Sequence, residues 1–201
     1  MKNKCAIFNY FFISLAVFFF LTPALFSNRE DQERIFRVDG RDYKVAAQAS
    51  QVESESDIIL YRDGTGKNLS KDIPGANIFP EVDVHDGYFY VTWINHEWGN
   101  NRLCFYDSSL DHSRVLVDGG FHFIAAGSKP VFSGSLPAAV IFKGNNSDND
   151  DLFCYGFFSG QIKKLTHTPS HIKEFNIILY VEYHGVIIES KTLYHTYLHR
   201  F

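Results

Sequence analysis

DLFCY at residues 151–155 is one of four copies of a short aromatic strand motif, and the other copies are DIILY at 57–61, RLCFY at 102–106 and TLYHT at 192–196. The copies start 45, 49 and 41 residues apart. Spacing of this size is typical of proteins in which one supersecondary unit is repeated. The sequence therefore predicts a β unit that recurs four times along the chain.

A glycine-bearing turn precedes each copy of the aromatic strand. Gly40, Gly87, Gly134 and Gly185 mark these turns and lie 47, 47 and 51 residues apart. Glycine reaches positive φ without a Cβ clash, so a tight hairpin can form at each position. Because the two markers keep a fixed order, each unit is predicted to contain four antiparallel strands, with the aromatic strand as the third.

The predicted fold class is all-β, a β-propeller-like array of about four four-stranded antiparallel blades, the last of them incomplete. The units cover about residues 34–70, 79–117, 129–166 and 174–201. One such unit cannot bury both of its faces, so the units are expected to stack face to face, and an aromatic content of 16% supplies the side chains between them. Two alternatives stay open for residues 28–201, a whole propeller-like domain or a truncated propeller.

Two stretches resemble the closing half of a TolB-like β-propeller blade. They are DLFCYGFFSGQIKKLT at 151–166 and the shorter DIILYRDGTGKNLS at 57–70, and in both a glycine stands nine residues after the first aspartate. The blade-opening motif of that family is only echoed, by FPEVDVHDG at 79–87. The resemblance covers about residues 35–201 and implies the propeller fold. It implies no single function, because such blades occur in periplasmic scaffold proteins and in substrate-gating domains of serine peptidases.

Residues 1–27 are predicted to be a signal peptide or an N-terminal membrane anchor. Lys2 and Lys4 precede the apolar segment 5–26, and the small residues Thr22 and Ala24 suit a cleavage site. An uncleaved anchor is the alternative, since about 20 apolar residues just span a bilayer. The sequence thus predicts an exported protein, periplasmic or extracellular, or one anchored to a membrane by residues 5–26.

Charge and cysteine content limit the possible partners and cross-links. The net charge is −4 and the lysines and arginines form no basic stripe, so no nucleic-acid partner is predicted. Cys104 and Cys154 take positions of opposite parity in equivalent strands, and strand alternation sends them to opposite faces. The sequence therefore predicts two free, mostly buried thiols.

No metal or cofactor site is predicted. His167 and His171, like His195 and His199, have the spacing of ligands on a helix, but they fall in a turn and a strand. The loop 145–151 (NNSDNDD) carries the oxygen ligands that calcium prefers, without the glycine and glutamate of an EF-hand loop. A solvated hairpin connection is the favoured interpretation of this loop, and a calcium site is the alternative.

The motifs do not favour an enzyme, and no catalytic residue is assigned. No serine stands in a Gly-x-Ser-x-Gly elbow. Trp98, in the polar loop before Gly99, is the one candidate for contact with a partner. One function class is a non-catalytic exported scaffold or binding module that uses a β-propeller rim for protein or glycan contact. The other is the substrate-gating propeller portion of a secreted hydrolase or peptidase whose catalytic domain is absent from this chain.

Overall fold

The computed structural model describes residues 32–50, 55–97, 99–145 and 151–166, and it describes the backbone of residues 172–180 and 185–192. Within these ranges the regular structure is β-strand, without an α-helix, and the all-β class is confirmed. No helix in the described part of the chain has the length and apolar character needed to cross a membrane. The signal-peptide or anchor segment 1–27 lies outside the described residues.

The described strands group into three meanders and a hairpin. The first meander contains β1 (Glu33–Val38), β2 (Arg41–Ala49), β3 (Ser56–Arg62) and β4 (Thr65–Asn68). The second contains β5 (Ala76–His85), β6 (Tyr88–Glu97), β7 (Asn100–Asp107) and β8 (His112–Asp118). The third contains β10 (Lys129–Ser133), β11 (Leu136–Asn145), β12 (Asp151–Gly156) and β13 (Ile162–Lys164), preceded by the short β9 (Phe123–Ile124). The hairpin contains β14 (Ile172–Tyr180) and β15 (Gly185–Thr192).

Each meander is antiparallel, with consecutive strands side by side. The first two meanders are joined by one parallel pair, Ser56 with Ala76. The short β9 adds to the third meander by pairing with the far end of β11. Among the described strands, no pairing links the first meander to the third or to the hairpin, so the four-blade count stays a prediction.

Strand alternation in β6 makes the second meander the centre of the stack. Phe89, Val91 and Trp93 point into a core cluster shared with the first meander. Tyr90 and Ile94 point the other way, into a cluster shared with the third. Since aromatic rings bury large apolar areas, both interfaces contribute hydrophobic packing between meanders. The meanders thus stack face to face, as the sequence predicts.

The two cysteines lie on opposite faces, as predicted. Cys104 is buried in the cluster between the first and second meanders. Cys154 packs against the cluster on the far face of the third meander. Both are free thiols. Burial raises the pKa of each thiol above its ordinary value, so both are poor nucleophiles at neutral pH.

The outer face of the first meander, turned away from the rest of the stack, is charged. Arg37 binds Asp42 with Nε–Oδ1 at 2.6 Å, and Lys44 lies 3.4 Å from the Glu33 carboxylate. Arg37 and Asp42 stand directly opposite each other in β1 and β2, and Lys44 and Glu33 are diagonal neighbours, so each pair of opposite charges interacts across the two strands. Ile35 is exposed among them. This face therefore carries two exposed ion pairs beside the exposed Ile35.

In each meander, the first residue of the aromatic motif forms a side-chain hydrogen bond with a residue at the end of the fourth strand or just beyond it. Three pairs do this: Ser70 Oγ donates to Asp57 Oδ1 at 3.2 Å, Arg102 Nε to Asp118 Oδ1 at 2.6 Å and Thr166 Oγ1 to Asp151 Oδ1 at 2.6 Å. The chemistry differs in the second meander, where an arginine replaces the first aspartate. The position of the tie is nevertheless the same in all three.

Asn77 fixes the connection between the first and second meanders. Its Nδ2 donates to three backbone carbonyl oxygens, those of Ser56 (2.9 Å), Ile73 (3.0 Å) and Gly75 (3.2 Å). Its Oδ1 accepts hydrogen bonds from Trp93 Nε1 (2.9 Å) and Asn95 Nδ2 (3.0 Å). The side chain is fully buried. One amide therefore holds the connection, β3 and β6 together.

Gly75 in this connection has no room for a side chain. Its φ is 106°, and a Cβ there would stand 2.5 Å from the carbonyl oxygen of His96. We expect Gly75→Ala to lower the free energy of unfolding by about 3 kcal/mol, because backbone strain adds to a backbone clash. Urea unfolding followed by fluorescence measures the change.

Gly120→Ala is the matched control for this prediction. Gly120 also has positive φ, at 79°, but a Cβ there would meet nothing within 4 Å. This variant should lose about 1 kcal/mol, the conformational cost alone. Equal losses in the two variants would show that the contact with His96 does not matter.

Candidate functional site

Six hairpin turns lie at one end of the stack, which we call the turn rim, and they span residues 38–41, 62–65, 85–88, 107–112, 133–136 and 156–161. Contacts join turns of different meanders: His85 Nε2 lies 2.8 Å from the Gly134 carbonyl oxygen, and Ser135 Oγ donates to Asp86 Oδ2 at 2.6 Å. The turns therefore form one continuous surface.

Aspartate stands at the tip of the first three of these turns. Asp39, Asp63 and Asp86 have φ between 48° and 50°, and each is followed by a glycine with φ between 75° and 78°. Two consecutive residues with positive φ define the type I′ turn, in which Asp-Gly is a preferred pair. The requirement for a tight turn thus places a row of carboxylates on the turn rim.

An open groove of about 550 Å³ lies between the turns of the first and second meanders. Its floor includes the rings of Tyr43, Phe89 and Tyr106, whose successive centroids are 5.2 Å and 5.9 Å apart. Its edges carry three cations and three carboxylates, those of Arg41, Arg62, Lys67, Asp39, Asp63 and Asp111. A concave site with an apolar floor and a few polar groups is the usual form of a ligand site.

One side of the groove is closed by Asp111. Lys67 of the first meander forms an ion pair with this carboxylate, and the Tyr106 hydroxyl donates to the same Oδ1 at 2.7 Å. The Lys67 ammonium, with help from Tyr106, holds the pKa of Asp111 below its usual value. Burial, together with Asp111, raises the pKa of Tyr106. Asp111 is therefore a fixed anion that links the two meanders.

The other side of the groove carries two charged pairs of neighbouring residues, Arg62 with Asp63 and Arg41 with Asp39. Arg62 lies beside Asp63, with Nε–Oδ2 at 3.2 Å. The side chains of Arg41 and Asp39 are both exposed, and neither side chain forms a hydrogen bond or an ion pair within the described residues. The two flank Gly40 in the first turn. The groove thus offers a free guanidinium and a free carboxylate above an aromatic floor.

Most of the sequence-predicted candidates fall outside the described residues. Trp98 and residues 146–150 of the 145–151 loop fall outside the described residues, as do the four histidines considered above. Asp151, the last residue of that loop, is buried and bound to Thr166 and Lys164, so its carboxylate is engaged within the protein. The described residues contain no cluster of three metal-ligating side chains.

Sequence reasoning did not select the residues of the groove. Arg41, Arg62 and Lys67 are isolated basic residues in or near turns, and nothing in their spacing brings them together. The repeated Asp-Gly pairs were the available signal, because they place Arg41 and Asp63 at neighbouring turns of the same sheet. The partner charge on Asp111 comes from another meander, 44 residues from Lys67.

The fold has a distant likeness among solved structures. No family model matches the chain, and no curated protein matches it. The chain is similar to the crystal structure of TolB from Acinetobacter baumannii, at 14% sequence identity and a TM-score of 0.44. The match covers 80% of this chain and 41% of the TolB chain, so this chain spans about two fifths of that protein.

Proposed function

We propose that this chain is an exported, non-catalytic binding module that holds a segment of a protein partner in the groove of the turn rim. The observation that carries the proposal is the pair of unneutralised charges, Arg41 and Asp39, beside the aromatic floor. A peptide brings charges of both signs and apolar side chains, which suit a guanidinium and a carboxylate beside an aromatic floor. Export is part of the proposal and rests on the sequence of residues 1–27.

Binding suits the groove better than acid–base catalysis does. A catalytic acid or base needs a pKa near the working pH. The pKa of Asp111 is lowered by Lys67, and the pKa of Tyr106 is raised by burial, so both groups move away from neutrality. Both are also committed to each other by a hydrogen bond. They support the shape and charge of the groove instead of transferring protons.

Charge reversal at Arg41 tests the proposal. Random peptides displayed on phage would be selected on the wild-type chain, and the enriched peptides would be measured by isothermal titration calorimetry. We expect Arg41→Glu to weaken their binding by about tenfold or more, because a charge-assisted contact is replaced by repulsion.

Arg37→Glu is the matched control. This substitution makes the same change of charge on the outer face of the first meander, away from the groove. The variant should bind the peptides like the wild type. Equal binding by Arg41→Glu and the wild type would refute the groove as the site. If no peptide is enriched and the chain binds to a glycan array, the partner is a glycan and not a protein.

A further inference from the structure

Lys67 places its ammonium group on the groove between an aromatic face and a carboxylate. The ammonium lies over the ring of Tyr106, 5.5 Å from the ring centroid, and forms an ion pair with Asp111. The Tyr106 hydroxyl donates a hydrogen bond to the same carboxylate at 2.7 Å. An aromatic face and a carboxylate both attract ammonium and guanidinium groups. Tyr106 and Asp111 therefore form a cation subsite, which the protein fills with its own lysine.

The cation subsite is held in place without Lys67. Tyr106 is buried in the core between the first two meanders. Asp111 lies in the turn between β7 and β8, where the Asp107 carboxylate accepts hydrogen bonds from Ser109 N at 2.8 Å and from Ser109 Oγ at 2.6 Å. The Tyr106 hydroxyl also holds the Asp111 side chain. The subsite thus keeps its shape when Lys67 leaves.

Lys67, in contrast, is held weakly. It belongs to the four-residue β4, which pairs with β3 alone among the described strands. The side chains of Lys67 and Asp111 are 47% and 67% exposed. An exposed ion pair contributes little stability, because water solvates both charges when the pair separates. A cation from a ligand can therefore displace Lys67 with only a small loss of stability.

The charges around the groove favour a cation at this subsite. Apart from Lys67, the charged side chains that line the groove are two cations and three carboxylates: Arg41, Arg62, Asp39, Asp63 and Asp111. The two arginines and two aspartates on the far side are sequence neighbours, and their charges offset one another. Lys71, which also acts on Asp111, lies 3.8 Å from the Asp72 carboxylate. A ligand cation thus meets an excess of one carboxylate once Lys67 has moved aside.

We infer that Lys67 is a displaceable occupant of the cation subsite, and that the partner segment carries a lysine or arginine that takes its place. The incoming ammonium or guanidinium group lies over the Tyr106 ring and pairs with Asp111, while the Lys67 ammonium moves into water. Lys67 thus competes with the ligand for one carboxylate. The inference rests on the proposed function and specifies a residue type that the groove recognises.

The test uses isothermal titration calorimetry with the full chain and the peptides enriched on the wild type. These peptides should contain a lysine or an arginine, and replacing that residue by methionine should weaken binding to the wild type about tenfold. Lys67→Met removes the competing charge, so it should bind the unmodified peptides about threefold more tightly, the change to which an exposed ion pair corresponds. The methionine peptides should show no such gain.

Lys44→Met is the matched control. Lys44 is also an exposed lysine in an ion pair, with Glu33, and its ammonium lies 5.0 Å from the centroid of the Tyr61 ring. It stands on the outer face of the first meander, so its variant should bind the peptides like the wild type. Asp111→Asn removes the anion of the subsite but keeps an acceptor for the Tyr106 hydroxyl, and it should bind about tenfold more weakly. Circular dichroism melting checks that each variant is folded.

The other outcomes separate the inference from the proposed function. If Arg41→Glu weakens binding but Lys67→Met does not tighten it, the inference fails and the proposed function stands. Weaker binding by Lys67→Met would show that Lys67 itself holds the ligand, and enriched peptides without lysine or arginine would show that the subsite takes no cation. Either result overturns the inference, as does a gain of the same size in Lys44→Met. If no peptide is enriched, or if Arg41→Glu binds like the wild type, the proposed function and the inference both fail.

Discussion

Replacing Asn77 by alanine is expected to lower the free energy of unfolding by about 4 kcal/mol, because buried polar groups left without partners cost about 1–3 kcal/mol each. The Trp93 indole N–H would lose its acceptor, at 2.9 Å, inside the core between the first two meanders. The carbonyl oxygens of Ser56 and Ile73 would lose a donor. Urea unfolding monitored by tryptophan fluorescence measures the loss.

Asn100→Ala is the control for this experiment. Asn100 begins β7 on the exposed side, so its removal should change the free energy of unfolding by less than about 0.5 kcal/mol. A loss below about 1 kcal/mol in Asn77→Ala would mean that water or a rearranged Asn95 replaces the missing amide, and would contradict the central role of Asn77.

Asp151→Ala is expected to be the second large effect, a loss of about 3 kcal/mol, since removing one partner of a buried charged pair costs about 3–5 kcal/mol. The carboxylate is buried, accepts a hydrogen bond from Thr166 Oγ1 at 2.6 Å and lies 2.5 Å from Lys164 Nζ. Lys164 is partly exposed and can be solvated again, which keeps the loss at the lower end. Thermal and urea unfolding both report it.

The corresponding tie of the second meander gives the matched comparison. Asp118 accepts from Arg102 at the same position of the repeat, but its side chain is 70% exposed. Asp118→Ala should therefore cost less than about 1 kcal/mol, as exposed ion pairs do. If both variants lose the same amount, burial is not what makes the tie in the third meander strong.

The sequence was sufficient to predict the β class and the stacking of the units. In β6, Phe89, Val91 and Trp93 alternate with Tyr90 and Ile94, and an alternation that is apolar on both faces indicates a strand buried on both sides. Gly40 and Gly87 marked two hairpin turns correctly, because only a few residue types tolerate positive φ at both central positions. These features depend on local chemistry.

The groove depends on contacts that no local pattern contains. Lys67 and Asp111 are 44 residues apart and meet only because two meanders stack. The hydrogen bond at the start of the aromatic motif could not be predicted for another reason. In the second meander it joins Arg102 to Asp118, whereas in the other two meanders it joins an aspartate to a hydroxyl group. Position is kept while residue type changes, so a motif search finds only part of the repeat.

The charged outer face of the first meander makes the two ends of the stack of meanders chemically different. A further sheet placed on that face would have to strip water from two ion pairs, Arg37 with Asp42 and Lys44 with Glu33, and desolvating charged groups is unfavourable. The far face of the third meander is apolar, with Ile141 among its buried residues. A further sheet is thus disfavoured on the outer face of the first meander, whereas the apolar residues on the far face of the third meander are already buried.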